Sequence, residues 1–203
     1  MITVVDYKMI NLGSILNMLK KVGAKDVVVA TTAEDLQNAK KIILPGVGSF
    51  DAAMKNIQGQ GLMEILRVKA MEEKVPFLGV CLGMQLMTKS SEEGILPGLG
   101  YVPAVVKKFR FSESNLRVPH MGWNKTSIEK PTKLFLNNDP KRFYFVHSYF
   151  VECEQTSDIL TSTEHGHKFV SGFEHENLIG VQFHPEKSHS YGLELFRNYV
   201  EKY

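Results

Sequence analysis

Cysteine is scarce in this chain: Cys81 and Cys153 are the two among 203 residues, too few for a disulfide framework. No apolar run approaches the roughly 18 residues a membrane-spanning helix requires, so no membrane association is expected. Neither sign of charge is in excess, with 24 lysines and arginines against 22 acids and a net charge of +2. That balance argues against nucleic acid as a partner, which would call for a basic field. Met1 leads into a short apolar stretch and Asp6 without the basic flank and long apolar segment of a secretory signal. Internal repeats, low-complexity tracts and linkers are lacking as well. These absences leave the expectation of a reduced, cytoplasmic, soluble protein folded as one domain over residues 1–203. Such a length buries a core without disulfides or structural metals.

The first half alternates short apolar runs with helical periodicity. Ile2 to Val5 reads as a buried strand, followed after the Asp6–Asn11 turn by a helix on Ile15, Leu16, Leu19 and Val22, with Gly23 as its stop. Val27–Val29 and Ile42–Leu44 read as strands, the latter ended by Pro45-Gly46. A helix over about Leu62 to Glu73 and a strand over Pro76 to Val80 follow. This alternation predicts an α/β fold with a mostly parallel central sheet flanked by helices. The second half is strand-rich, with candidates at Tyr101 to Phe111, Lys125 to Ile128, Phe143 to Val151, Ile159 to Thr163 and Leu178 to Phe183, before a closing helix over Ser190 to Glu201.

The most informative stretch is Phe77-Leu78-Gly79-Val80-Cys81-Leu82-Gly83-Met84-Gln85, an apolar strand running through Gly-x-Cys-x-Gly into a helical pattern. Cysteine here takes the place of serine in a strand–turn–helix nucleophile elbow. A sharp turn lifts the sulfur clear of the sheet edge, and the flanking glycines leave room for a strained backbone and an approaching substrate. The positive end of the following helix favours thiolate over thiol, and a thiolate attacks an amide carbonyl. A cysteine is also a common buried apolar residue, so the turn acquires catalytic meaning only with a base.

A base is available in Gly180-Val181-Gln182-Phe183-His184-Pro185-Glu186-Lys187-Ser188. The strand ends at His184, and with Pro185 fixing the backbone, Glu186 could hold one ring nitrogen while the other faces the thiol. His147 and His120 compete for the same role, and spacing alone does not choose among the three. His165 and His167 flank Gly166 and could be taken for a metal pair. No cysteine or carboxylate cluster supports that, so an exposed hairpin turn is expected there and no metal or cofactor. His175, between Glu174 and Glu176, also reads as a turn.

Taken together, these residues resemble the class I, triad-type glutamine amidotransferases, and among them the glutaminase subunits of imidazole glycerol phosphate synthases. The resemblance runs along nearly the whole chain. It includes Asp6-Tyr7 with Asn11-Leu12, Leu44 to Phe50, Phe77 to Leu86, Ser91-Glu92-Glu93-Gly94, Val118 to Asn124, Phe143 to Tyr149 and Gly180 to Ser188. It implies that Cys81 attacks the side-chain amide of glutamine, that His184 carries the proton to departing ammonia, and that Glu186 orients His184. It places the oxyanion loop on Gly46-Val47-Gly48, with Leu82 N–H as the second donor. It assigns glutamine recognition to Gln85, Ser148 and Tyr149, and makes His147 a structural histidine.

Ammonia released into water near neutral pH is mostly protonated and useless as a nucleophile, and the chain has no evident synthase domain. A second polypeptide is therefore expected, and the resemblance implies a (β/α)8 barrel cyclase in a heterodimer. Asn11, Trp123 and Lys187 are the candidate contacts. Trp123 suits an interface anchor, although a core position beside Met121 would also suit it. The family pattern Asp-Tyr-Gly-x-Gly-Asn is altered here to Asp6-Tyr7-Lys8-Met9-Ile10-Asn11, so any positive backbone torsion there falls on a residue with a side chain. That change admits a paralogue supplying ammonia to a sugar-modifying amidotransferase of surface-polysaccharide biosynthesis. A pyridoxal phosphate synthase glutaminase is opposed by the Pro119 to Asn124 segment, and a cysteine hydrolase by the Pro45 to Phe50 loop and Gln85. A catalytically dead regulatory subunit is opposed by the complete triad.

Overall fold

The computed structural model describes residues 1–9, 11–111 and 116–203. In chain order the elements are β1 (Ile2–Val5), α1 (Leu12–Lys21), β2 (Val27–Ala30), α2 (Ala33–Leu36), β3 (Lys41–Gly46), α3 (Phe50–Gly59) and α4 (Met63–Arg67), then β4 (Phe77–Cys81) and α5 (Leu82–Leu86). They continue through β5 (Ala104–Lys108), β6 (His120–Ile128), β7 (Lys141–His147), β8 (Tyr149–Cys153), β9 (Ile159–His165), β10 (His167–His175) and β11 (Leu178–Val181) to α6 (His189–Lys202).

One sheet carries all the strands among the described residues. Along its main path the order is β2-β1-β3-β4-β11-β10-β9-β6-β7, while β8 pairs with both β10 and β5. The first five strands of this path are parallel, and from β11 to β10 onward the pairing is antiparallel. The sheet is therefore mixed. Its parallel part comes from the alternating first half together with β11, and its antiparallel part from the strand-rich second half.

Apart from the edge strand β2, the parallel strands are buried on both faces, which is why they read as unbroken apolar runs. Their residues divide by alternation between two cores. Val5, Ile42, Leu44 and Phe77 meet α3 and α5 through Phe50, Ile57, Leu82 and Leu86. Ile2, Val4, Ile43, Leu78 and Val80 meet α1 and α6 through Ile15, Leu19, Leu195 and Phe196. The fully buried Tyr199 fixes α6 by donating its hydroxyl to the carbonyls of Ile42 (2.7 Å) and Pro76 (2.8 Å).

Several boundaries differ from those expected. The helix over Leu62 to Glu73 is α4 followed by a π-helical turn, Val68–Glu72. The strand expected from Lys125 already begins at His120, and the run Phe143 to Val151 breaks at Ser148 into β7 and β8. Pro45-Gly46 does not end β3: Pro45 pairs with Val80 and Gly46 with Cys81, so the next loop leaves the sheet beside that cysteine. Three elements lie outside the expectation. The helix α3 carries Phe50, Ala53, Met54 and Ile57 at helical spacing, and α2 is capped by Thr32 and Asp35. β10, buried in its middle, is a strand; the exposed hairpin turn expected at Gly166 joins it to β9, whereas His175, read as a turn, is its last residue.

Candidate active site

Two neighbouring parallel strands position the reacting groups. β4 and β11 pair in register up to Val80 opposite Val181, so residues a hundred positions apart leave the sheet side by side. β4 ends at Cys81, which has φ 53° and ψ −109° and precedes the first turn of α5 directly. A side-chain-bearing residue held at positive φ stores on the order of 1–3 kcal/mol of strain, maintained by the packing around it. The flanking glycines serve that packing: a Cβ on Gly83 would lie 1.7 Å from the Leu44 carbonyl oxygen, and one on Gly79 2.8 Å from the Gly83 carbonyl. They let α5 press onto β3 and β4, a different role from the substrate clearance expected of them.

After β11 the chain reaches His184, whose N–H donates to the Tyr144 carbonyl (2.9 Å). Ser188 closes the same clamp, accepting the Tyr144 N–H (3.0 Å) and donating its hydroxyl to the His184 carbonyl (2.6 Å). Pro185–Lys187 form a single 3-10 turn that folds Glu186 back onto the imidazole, giving a His184 Nδ1 to Glu186 Oε1 distance of 2.7 Å with both side chains nearly fully buried. Nε2, the other ring nitrogen, is buried with no hydrogen-bond partner among the described residues. Burial alone would push the imidazole toward neutrality, but the Cys81 sulfur and the Glu186 carboxylate outweigh it and raise His184 to about 10.

His147 and His120 are committed elsewhere. His120 Nδ1 lies 2.9 Å from His147 Nε2, and His147 Nδ1 lies 2.7 Å from the Tyr149 carbonyl. Burial lowers His120 to about 4 and His147 to about 3, so both are neutral with their ring nitrogens paired. Cys153 contrasts with Cys81: half-buried, its thiol is pushed up to about 12 by burial.

Cys81 and His184 open onto a cleft of about 340 Å³ whose lining includes Val47, Gly48, Leu82, Gln85, Ser148 and Tyr149. Gly46 ends β3 beside Cys81, and Leu82, the first residue of α5, has an N–H that no carbonyl of its own helix can reach. The Val47 N–H does not point into the cleft; it donates to the Met9 carbonyl at 2.9 Å. Gln85 is buried and donates from Nε2 to the Tyr149 carbonyl (3.3 Å) and to Gln182 Oε1 (3.0 Å).

The family model for class-I glutamine amidotransferases matches residues 3–202. The chain belongs to the class-I glutamine amidotransferases. It is 48% identical over 203 residues to the imidazole glycerol phosphate synthase subunit HisH 2 of Methanococcus maripaludis, covering 100% of both chains. It is 45% identical to the protein of the same name from Pseudomonas aeruginosa, covering 99% of each. Among solved structures it resembles a glutamine amidotransferase from Thermotoga maritima, with a TM-score of 0.65 at 17% identity over 91% of this chain and 75% of that one. At that identity the likeness is one of fold.

In this amidotransferase Trp123 is not a core residue. It is 41% exposed on β6, stacked on His189 (centroids 5.4 Å apart) and set edge-on to Tyr144 (6.2 Å). The exposed Lys187 stands over the other aromatic of that group, its Nζ 5.8 Å from the Tyr144 ring centroid, and Met121 beside Trp123 is 63% exposed. Asn11 is exposed at the start of α1. Of the altered first turn, Lys8 does adopt positive φ (68°), its N–H held by Asp6 Oδ1 at 2.8 Å, while Ile10 lies outside the described residues.

Glu93 and Gln182 are absent from the sequence-based site. Glu93 lines the cleft, accepts the Phe50 N–H at 3.0 Å, and is raised by burial. The signal for Glu93 was its place in Ser91-Glu92-Glu93-Gly94; Gln182 offered only a polar side chain in an apolar run, and its register beside the nucleophile strand is seen only in the fold. Among the described residues no group of three or more His, Cys, Asp or Glu side chains is arranged to hold a metal. No helix among them is long and apolar enough to cross a membrane.

Proposed function

We propose that the chain hydrolyses glutamine at this cleft and supplies the ammonia to the cyclase of an imidazole glycerol phosphate synthase, as part of histidine biosynthesis. The observation that carries the chemistry is Cys81 held at positive φ beside an imidazole whose far nitrogen is 2.7 Å from a buried carboxylate. The Cys81 thiolate attacks the side-chain carbonyl carbon of glutamine, and the C–N bond breaks as His184 donates its proton to the departing nitrogen. Ammonia leaves and a glutamyl thioester remains. His184, now neutral, takes a proton from water; the hydroxide equivalent attacks the thioester, glutamate departs, and the thiolate–imidazolium pair is restored. Glu186 keeps the imidazole oriented and stabilises its cationic form.

Leu82 N–H is the standing oxyanion donor. Gly46-Val47-Gly48 can supply the second once the Val47 peptide turns away from Met9, a motion the glycine on either side permits. Gln85, Ser148 and Tyr149 bind the substrate, and the half-buried Glu93 supplies a negative charge for its ammonium group. A free nucleophilic thiol suits the reducing cytoplasm.

The full-length relatives are named as synthase subunits, which supports a second polypeptide as acceptor. A (β/α)8 barrel cyclase docks on the face carrying Trp123 and Lys187, close to the triad turn, with Asn11 at the start of α1 as a further contact. The polysaccharide paralogue admitted by the altered first turn is not favoured by those names.

The test is glutamate release with and without the cyclase and its ligand, alongside Cys81→Ala. We expect the variant to lose glutamine-dependent synthesis and to retain synthesis from added ammonia. Equal loss of both would contradict the division of labour, and no turnover by the folded wild type with its cyclase would contradict the assignment.

A further inference from the structure

Gln182 is fully buried one residue beyond β11, alongside the end of the nucleophile strand. A primary amide taken from water into such a place is unfavourable unless its donors and acceptor are matched. Its carbonyl oxygen accepts from Gln85 Nε2 at 3.0 Å, and its own Nε2 lies 3.7 Å from Cys81 Sγ, within reach for a donor to sulfur.

Which end of the amide faces the sulfur is decided by its neighbours. Both N–H groups of Gln85 Nε2 are directed outward, one to Gln182 and one to the Tyr149 carbonyl. That carbonyl also receives His147 Nδ1, and His147 Nε2 in turn faces His120 Nδ1, whose Nε2 faces the Asn124 amide at 3.0 Å. Each member can donate in one sense only, so reversing Gln182 would set two NH2 groups against each other and an oxygen against the sulfur.

We infer that Gln182 is a positioning residue for the nucleophile: its side-chain N–H donates to the Cys81 sulfur, holding the thiolate in place toward His184. The inference deepens the glutaminase reading and rests on Cys81 acting as a thiolate. A hydrogen bond to an ionised partner is stronger than one to a neutral partner, so this contact acts selectively on the deprotonated sulfur. The other titratable groups facing Cys81 are His184, with Glu186 behind it, and Tyr7 from the turn after β1; Glu93 is on the cleft wall.

The experiment follows alkylation of Cys81 by iodoacetamide against pH in the full chain, with the Cys81 peptide read by mass spectrometry. Gln182→Met removes the donor at nearly the same size; Gln182→Glu keeps an acceptor for Gln85 but turns a carboxylate toward the sulfur. We expect alkylation at pH 7 to slow about ten-fold in Gln182→Met, its pH profile moving upward by about one unit, and to slow further in Gln182→Glu. In the wild type, the Gln182 side-chain amide resonance should shift with the same midpoint as the alkylation profile, a readout that requires no variant to fold. An unchanged profile in either folded variant, or an amide resonance indifferent to the Cys81 titration, overturns the inference. Glutamine is not consumed in these measurements, so failure of the glutaminase reading would show separately, as absent turnover with an intact alkylation response.

Discussion

Replacing Gly83 by alanine tests whether the nucleophile turn depends on close helix-to-sheet contact. A Cβ at this position would lie 1.7 Å from the Leu44 carbonyl oxygen and 2.7 Å from its carbon. A carbon–oxygen contact needs about 3.3 Å, so α5 and β3 must part by about 1.5 Å. The obstacle is backbone in the middle of a buried sheet, which places the disturbance toward the upper end of the ~1–3 kcal/mol typical of overpacking. Alanine recovers up to about 1 kcal/mol of helix propensity, leaving a net destabilisation of about 2 kcal/mol. Activity suffers more, because α5 carries Leu82 and Gln85 and abuts Cys81: a displacement of ~1 Å in a reacting constellation costs about 100-fold. Urea unfolding followed by circular dichroism gives the first quantity, and glutamate release in the presence of the cyclase gives the second. Gly13→Ala in α1, where a Cβ meets nothing within 4 Å, is the matched control and should leave stability unchanged or raise it by up to about 1 kcal/mol. If Gly83→Ala behaves like Gly13→Ala, with wild-type turnover, the close-contact account of Gly-x-Cys-x-Gly is wrong.

Lys8 sits at φ 68° on an exposed turn, so Lys8→Gly should raise stability by about 0.5–1 kcal/mol in the same urea assay; a loss would show that the lysine side chain contributes more than its backbone strain removes. Trp123→Ala should leave the unfolding midpoint of the free chain within experimental error and weaken cyclase binding by ~2 kcal/mol, about 30-fold by titration calorimetry; unaltered affinity would remove Trp123 from the interface. Because His120 and His147 are lowered to about 4 and 3, the unfolded chain binds protons below pH 6.5 that the folded chain refuses, so stability rises with pH between about 4 and 6.5. His184, raised to about 10, has the opposite sign in a separate window: its contribution is complete below pH 6.5 and is lost as pH climbs through 10. Urea unfolding should therefore show a loss on the order of 2 kcal/mol from pH 6.5 to 5, shallower in His120→Gln; equal slopes would place the pH dependence elsewhere.

Much of the fold was legible because the inner parallel strands are buried on both faces and announce themselves as unbroken apolar runs. β10 was not: Lys168, Ser171 and Gly172 interrupt its apolar pattern, and histidines at both ends suggest turns. The break at Ser148 was invisible because β7 and β8 are both rich in aromatic and β-branched residues, with no glycine or proline between them. α3 was readable from Phe50, Ala53, Met54 and Ile57, but its start lies immediately after a glycine-bounded loop that suggests irregular structure. At the site, Cys81, His184 and Glu186 could be named from motif and resemblance, whereas the Val47 N–H bond to Met9 depends on how two loops meet in space. Gln182 illustrates the same limit. A polar residue in an apolar strand reads as an exception until the neighbouring strand is known, and that neighbour is a hundred residues away.

The arrangement of the sheet explains why the site lies where it does. β4 and β11 are parallel, so both deliver their next residues at the same edge, and Cys81 and Gln182 emerge side by side. Beyond β11 the pairing turns antiparallel, which brings β7 and β8 close enough for Tyr144 to clamp His184 and for the Tyr149 carbonyl to meet Gln85. An all-parallel sheet would need a crossover helix after every strand and would cover this edge on both faces. The change of pairing instead leaves one wall of the cleft to short strand ends and loops, among them Pro119, Val146 and Ser148. Trp123 and Lys187 stand on the outer side of that same wall through Tyr144. A partner seated on them would press on the backbone segment that fixes His184, which gives docking a short mechanical path to the reacting histidine and none that has to cross the core.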